Sequence, residues 1–128
     1  MIVDTSALVA VFLKEPGYEA LLAKLGAAKA VGVGAPTLVE AGRVLTARVG
    51  EQAPALLSQF LTEFGIVTVP FGETHWRAAV EAYRRFGKRR HAASLNFGDC
   101  MSYATAKLAG EPLLSTGQDF ARTDLTLA

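Results

Sequence analysis

Residues 1–14 read Met-Ile-Val-Asp-Thr-Ser-Ala-Leu-Val-Ala-Val-Phe-Leu-Lys, and Glu15-Pro16-Gly17 follows. A short apolar run stops at Asp4, and a second, Ala7–Leu13, begins three residues later. The first run suits a buried strand. Asp4 or Thr5 can cap a helix over about Ser6–Lys14, which Pro16-Gly17 ends. The same alternation continues along the chain. Tyr18, Leu21, Leu22 and Leu25 recur at helical spacing. Ala30–Ala35 reads as a short buried strand holding two glycines. Pro36 opens a helix to Val49 that is apolar on most sides. Leu56, Leu57, Phe60, Leu61 and Phe64 mark the next helix, closed by Gly65. Ile66–Val69 reads as a strand closed by Pro70. Trp76, Ala79, Val80 and Tyr83 mark a helix ending near Gly87, and residues 88–98 read as a loop. A helix from about Gly98 to Leu108 stops at Gly110. Leu113–Ser115 is the last buried strand, and Leu125–Leu127 a short edge strand. Short apolar strands alternating with helices predict an α/β fold with a parallel sheet covered on both faces. Such sheets bind ligands beyond the carboxyl ends of their strands.

The chain has 128 residues, enough for one domain over 1–128. Hydrophobic residues make up 51% and charged residues 20%, which excludes disorder. A mean hydropathy of +0.27 suggests a dense core and an apolar partner surface. The longest apolar run is far short of the ~20 residues of a membrane span, and no basic segment precedes it as in a signal peptide. A single cysteine, Cys100, rules out a disulfide framework and a cysteine-based zinc site. A reducing cytoplasm is the expected home. Net charge is +1, so any preference for nucleic acid must lie in the charge distribution.

The four aspartates are Asp4, Asp99, Asp119 and Asp124. Asp4 ends the first strand and Asp119 follows the last buried one, so both fall on the expected binding edge. Asp99 starts a helix, and Glu40 lies early in the most apolar helix. Each has a bland alternative. Asp4 can cap the next helix, and Asp99 can form a capping arrangement with Asn96. Glu40 can pair with Arg43, and Asp119 and Asp124 can be turn residues. Gathered at one sheet edge, however, these carboxylates would raise one another's pKa unless a cation intervened. Mg²⁺ or Mn²⁺ fits an all-oxygen site, with substrate phosphate oxygens completing the shell. Such an ion activates water and neutralises transition-state charge.

Arg84, Arg85, Lys88, Arg89 and Arg90 form a basic stretch with no acid between Glu81 and Asp99. It reads either as a solvated helix end or as a phosphate-backbone contact beside the acidic site. Tyr83, Phe86 and Phe97 read as core residues first and base-stacking platforms second. Cys100 reads as a small buried residue, and His75 and His91 as surface or loop histidines. A dinucleotide fingerprint, a P-loop and a serine-hydrolase elbow are absent.

Met1-Ile-Val-Asp-Thr-Ser-Ala-Leu-Val-Ala, the Glu40 helix, Arg90-His91 with Leu95-Asn-Phe-Gly-Asp-Cys100, and Pro112-Leu-Leu-Ser-Thr-Gly-Gln-Asp-Phe-Ala-Arg-Thr-Asp124 together resemble a PIN-domain ribonuclease. The similarity is to the VapC toxins of VapBC toxin–antitoxin pairs and spans essentially the whole chain. It implies an α/β/α sandwich with a central, mostly parallel sheet of four to five strands. It also implies Mg²⁺- or Mn²⁺-dependent hydrolysis of RNA. Asp4 and Asp99 match the metal-binding aspartates, and Glu40 the acid that helps hold metal or orient water. Asp119 matches the second acid of the last motif, whose first acid is replaced by Gly117. The resemblance further implies a homodimer and inhibition by a VapB-type antitoxin. On this reading Asp4, Glu40, Asp99 and Asp119 are the catalytic set, and Thr5, Ser6, Arg89, Arg90 and Thr116 contact substrate. The other readings are a nucleic-acid-binding module without catalysis, and a metal-dependent DNA nuclease or phosphatase.

Overall fold

The computed structural model describes residues 1–128. β1 (Ile2–Val3) leads into α1 (Thr5–Phe12) and α2 (Tyr18–Ala27). β2 (Val31–Gly34) leads into α3 (Ala35–Val49) and α4 (Ala53–Glu63), and β3 (Ile66–Val69) into α5 (Glu73–Phe86). After α6 (Phe97–Ala109) come β4 (Leu113–Leu114) and a 3-10 turn at Asp119–Arg122. The four strands form one sheet in the order β3-β2-β1-β4, and every pairing is parallel. The chain steps outward from β1 through β2 to β3, then returns to place β4 on the other side of β1. The switch point therefore lies between β1 and β4, where open α/β sheets bind ligands.

Alternation along the strands divides the core in two. Val3, Val31, Val33 and Leu114 pack with α1 and with Leu25, Ala41, Leu45 and Leu57. Ile2 and Leu113 point the other way and pack with Ala79, Ala82 and Phe86 of α5, Tyr103 and Ala104 of α6, and Phe120. Helices thus cover both faces of the sheet, giving the three-layer sandwich. The glycines of β2 belong to this layering. At Gly34 a Cβ would lie 2.6 Å from Thr105 Oγ1, so the missing side chain lets α6 approach the sheet.

Three expectations need correction. Leu125–Leu127 is no strand: Leu127 makes a single parallel bridge to Leu113, so the sheet stops at four strands. The cover is also incomplete, because Val67 on edge strand β3 is 66% exposed. Finally, α3 has a solvent face. It is buried through Thr37, Ala41 and Leu45, spaced four apart, while Val39 is 73% exposed on the outer flank. An apolar composition did not mean an all-round apolar contact. No helix is long and apolar enough to cross a membrane.

Candidate active site

Asp4 sits where β1 ends, and its backbone N–H donates to Leu114 O of β4 at 2.9 Å. Its backbone is extended, and its side chain caps α1 by accepting from Ser6 N–H at 3.1 Å. The same oxygen, Oδ2, accepts from Ser6 Oγ at 2.7 Å. The other, Oδ1, accepts from Ser102 Oγ of α6 at 2.6 Å. Asp4 is only 5% exposed. Ser6 Oγ in turn accepts from Thr116 N–H at 3.0 Å, which ties the loop after β4 to the loop after β1.

Glu40, half-buried on α3, accepts from Thr5 Oγ1 at 2.5 Å. It makes no ion pair with Arg43. Its carboxylate lies against the backbone of Gly98. A Cβ there would press into Oε2 and stand 2.8 Å from Oε1. Asp99 is the third residue of α6. It forms a reciprocal capping box: Asp99 N–H donates to Asn96 Oδ1 at 2.8 Å, and Asn96 N–H to Asp99 Oδ2 at 3.0 Å. Burial pushes the Asp99 carboxyl up to about 6, against the Asn96 hydrogen bond, and the charges of Asp4, Asp119 and Glu40 add to the rise. Asp119, exposed at the start of the 3-10 turn, completes the group. The fold thus brings Asp4, Glu40 and Asp119 within electrostatic reach of Asp99. None of the four has a cationic partner: the ion pairs all lie elsewhere.

The remaining sequence candidates divide. Thr5 and Ser6 give their hydroxyl protons to Glu40 and Asp4, so in this structure they orient carboxylates. Thr116 is exposed beside them. Of the basic stretch, Arg84 is paired with Glu81 and Arg85 reaches Asp124 at 3.8 Å. Lys88, Arg89 and Arg90 are exposed and unpaired, with Arg90 over the Tyr83 ring at 5.6 Å. Asp124 stands apart from the acidic group, accepting from Tyr103 Oη at 2.6 Å and Lys107 Nζ at 2.8 Å. Gly117, in the place of the missing acid, has a φ of 76°. Cys100 is buried; burial first, then Asp99, pushes its thiol up to about 11, away from reactivity. Phe86 is buried as expected, but Phe97 is 82% exposed.

Sequence reasoning missed three residues of the site. Ser102 lies one turn after Asp99 and therefore on the same helix face, a spacing that could have flagged it. Thr37, whose hydroxyl stands 3.2 Å from Ser102 Oγ, carried no signal. Gly98 did: glycine is a poor helix residue, and one placed just before an acid marks a close approach.

The donor set fits a hard divalent cation. It is all oxygen, it gathers negative charge with no cationic side chain among it, and Gly98 leaves room for the Glu40 carboxylate beside Asp99. No group of three or more acidic, histidine or cysteine side chains stands close enough together to hold an ion by itself, so such an ion would need water or substrate oxygens as further ligands.

Comparison with known proteins agrees. The PIN domain family model matches residues 1–125. Ribonuclease VapC36 of Mycobacterium tuberculosis is 46% identical over 126 residues, covering 98% of this chain and 91% of the relative. Ribonuclease VapC of Mycolicibacterium smegmatis is 39% identical over 125 residues, covering 98% and 97%. Among solved structures, M. tuberculosis VapC20, described as a sarcin–ricin-loop-cleaving toxin, superposes with a TM-score of 0.79 at 19% identity, covering 99% of this chain and 97% of that one. VapBC2 of Rickettsia felis, crystallised with promoter DNA, gives 0.78 at 18% identity, covering 99% and 96%. With the switch-point carboxylates in place and the match running nearly end to end, the chain belongs to the PIN-domain family and, within it, to the VapC ribonucleases.

Proposed function

We propose that the protein is the toxin of a toxin–antitoxin pair, an endoribonuclease that hydrolyses RNA phosphodiester bonds with Mg²⁺ or Mn²⁺ bound among Asp4, Asp99, Glu40 and Asp119. One observation carries the reading. Four carboxylates share the switch point of the sheet without a cationic side chain, and Asp99 is pushed up to about 6 as a result of burial and its acidic neighbours.

Asp4 and Asp99 are the residues to hold the ion, since each is fixed by hydrogen bonds from its own helix start. Bound there, a divalent cation supplies a Lewis acid that makes water a better nucleophile and neutralises phosphate charge. Glu40, held by Thr5, orients the attacking water, and Asp119 assists from the exposed side. Thr116, exposed beside Ser6, is the residue proposed to hydrogen-bond a phosphate oxygen. Hydrolysis adds water across one P–O bond, so one product keeps the phosphate and the other ends in a hydroxyl. Lys88, Arg89 and Arg90 offset the repulsion between an acidic site and a polyanion.

The partners follow from the surface. Trp76, Val80, Tyr83 and Phe97 are exposed around an apolar groove of about 500 Å³ between α5 and α6. Such a face suits a protein contact, and a second copy of the chain is the occupant proposed. The VapB-type antitoxin is supported by the kinship with VapC toxins. A substrate panel tests the activity: structured RNA, DNA of the same sequence, and a phosphomonoester, each with Mg²⁺, Mn²⁺ or EDTA. Metal-dependent cleavage of the RNA above the other two is expected. Faster turnover of DNA or the monoester would displace the ribonuclease reading.

A further inference from the structure

The hydrogen bonds around Asp4 are unequal. Oδ2 accepts twice, from Ser6 N–H and Ser6 Oγ. Oδ1 accepts once, from Ser102 Oγ. A carboxylate oxygen has two lone pairs, so Oδ2 is filled and Oδ1 has one position left. Ser102 is 1% exposed and Thr37, behind it, 2%. The Ser102 hydroxyl has one proton, committed to Asp4, so the 3.2 Å contact is a donation from Thr37 Oγ1 to Ser102 Oγ. The chain of donors runs Thr37 to Ser102 to Asp4, from α3 through α6 to the end of β1, entirely inside the protein. No buried side-chain polar atom lacks a partner.

We propose that Ser102 and Thr37 are positioning residues that turn Asp4 so that Oδ1 is the oxygen presented to the divalent cation. The inference rests on the metal-site reading above. Thr37 fixes the rotor of the Ser102 hydroxyl, and Ser102 fixes the plane of the Asp4 carboxylate. Ser6 holds the other oxygen as a helix cap. One carboxylate thereby caps α1 through Oδ2 and serves the site through Oδ1. Without Ser102, rotation of the carboxylate is restrained on one side only, and the Thr37 hydroxyl loses its acceptor.

The test is Mn²⁺ binding to the full chain, read by electron paramagnetic resonance, with no substrate present. Four proteins are compared: wild type, Ser102→Ala, Thr37→Val and Thr37→Ser. Loss of a residue that orients a metal ligand commonly costs about 10–100-fold in affinity. Ser102→Ala is expected to weaken Mn²⁺ binding by that order. Thr37→Val, equal in shape but without the hydroxyl, should weaken it less, and Thr37→Ser should recover most of that loss. Thermal melts establish that each protein is folded at the assay temperature. A packing defect would lower the melting temperature without sorting the Thr37 variants by their hydroxyl. If Ser102→Ala does not fold, the Thr37 pair decides. Equal Mn²⁺ affinity in wild type and folded variants overturns the positioning role alone. No Mn²⁺ binding by wild type overturns the metal-site reading, and this inference with it.

Discussion

Asp99 caps α6 with Asn96 and still lies within electrostatic reach of the other acids, so its capping role does not exclude the metal-site role proposed for it. A carboxylate has lone pairs enough to accept the Asn96 N–H of a capping box and still face the acidic group. Asp4 does the same with α1. Capping and chemistry are therefore compatible readings of a helix-start aspartate, and the local pattern alone cannot separate them. Only convergence of distant segments does that. Asp4, Glu40, Asp99 and Asp119 are legible as candidates because they are acids at or near element ends, Ser102 only through its helical spacing from Asp99, and Thr37 not at all. A buried hydroxyl has the same sequence appearance whether or not it meets a carboxylate. A pH prediction belongs to Asp99. Its folded carboxyl titrates near 6 against 3.8 when unperturbed, so the folded state binds more protons between those values. In metal-free protein its contribution to stability is present below about 3.8 and is lost as pH rises through about 6. Asp99→Asn should therefore stabilise the metal-free protein at pH 7.5 by about 1 kcal/mol after allowance for solvent screening, and by much less at pH 4. Urea melts in EDTA at the two pH values measure this. A variant less stable than wild type at pH 7.5 would mean that the capping role dominates.

At the scale of elements, the start of α6 is the hinge between fold and site. At Gly98 helix propensity and the geometry of the proposed site oppose each other. Alanine favours a helix over glycine by up to about 1 kcal/mol, yet its Cβ would displace the Glu40 carboxylate. Gly98→Ala is expected to keep the fold, with a melting temperature within a few degrees of wild type, and to lose RNA cleavage by about tenfold or more. Unchanged cleavage would show that Glu40 tolerates the shift. The C-terminal segment is held by a separate clamp. Burial would raise the Asp124 carboxyl, but the Lys107 and Tyr103 hydrogen bonds outweigh it and hold the group below its ordinary value. A depressed carboxylate stabilises above its unfolded pKa and loses that contribution as pH falls below about 3.8. Asp124→Asn should cost at most about 1 kcal/mol at pH 7, because the side chain is 34% exposed and solvent screens it, and the difference should close in acid. A loss as large at pH 3 as at pH 7 would point to packing instead. Element order was legible from the period of the apolar residues. Ile66–Val69 agrees to the residue, because Gly65 and Pro70 punctuate it. The last segment was less so: the 3-10 turn at Asp119 depends on Phe120 entering the second core, a tertiary contact.

The whole molecule presents two surfaces that its composition only hinted at. One is acidic at the switch point, with three unpaired cations, Lys88, Arg89 and Arg90, on the loop before α6. The other is the apolar face of α5 and α6. The mean hydropathy announced an apolar excess but not its place. Residues such as Trp76, Val80 and Tyr83 have core spacing, and their exposure follows from Ala79, Ala82 and Phe86 already filling the inner face of α5. If a second copy covers this face, Val80→Glu should shift the protein from dimer to monomer in light scattering behind gel filtration. Wild type eluting as a monomer at the same concentration would remove the dimer. The nuclease itself is tested most directly on total cellular RNA, with purified protein in Mg²⁺, in Mn²⁺ and in EDTA, and with Asp99→Asn run in parallel. Discrete products that need the metal and vanish with the variant are expected. RNA that is bound but left intact under every metal, or cleaved equally by Asp99→Asn, would contradict a metal-dependent site built on these carboxylates.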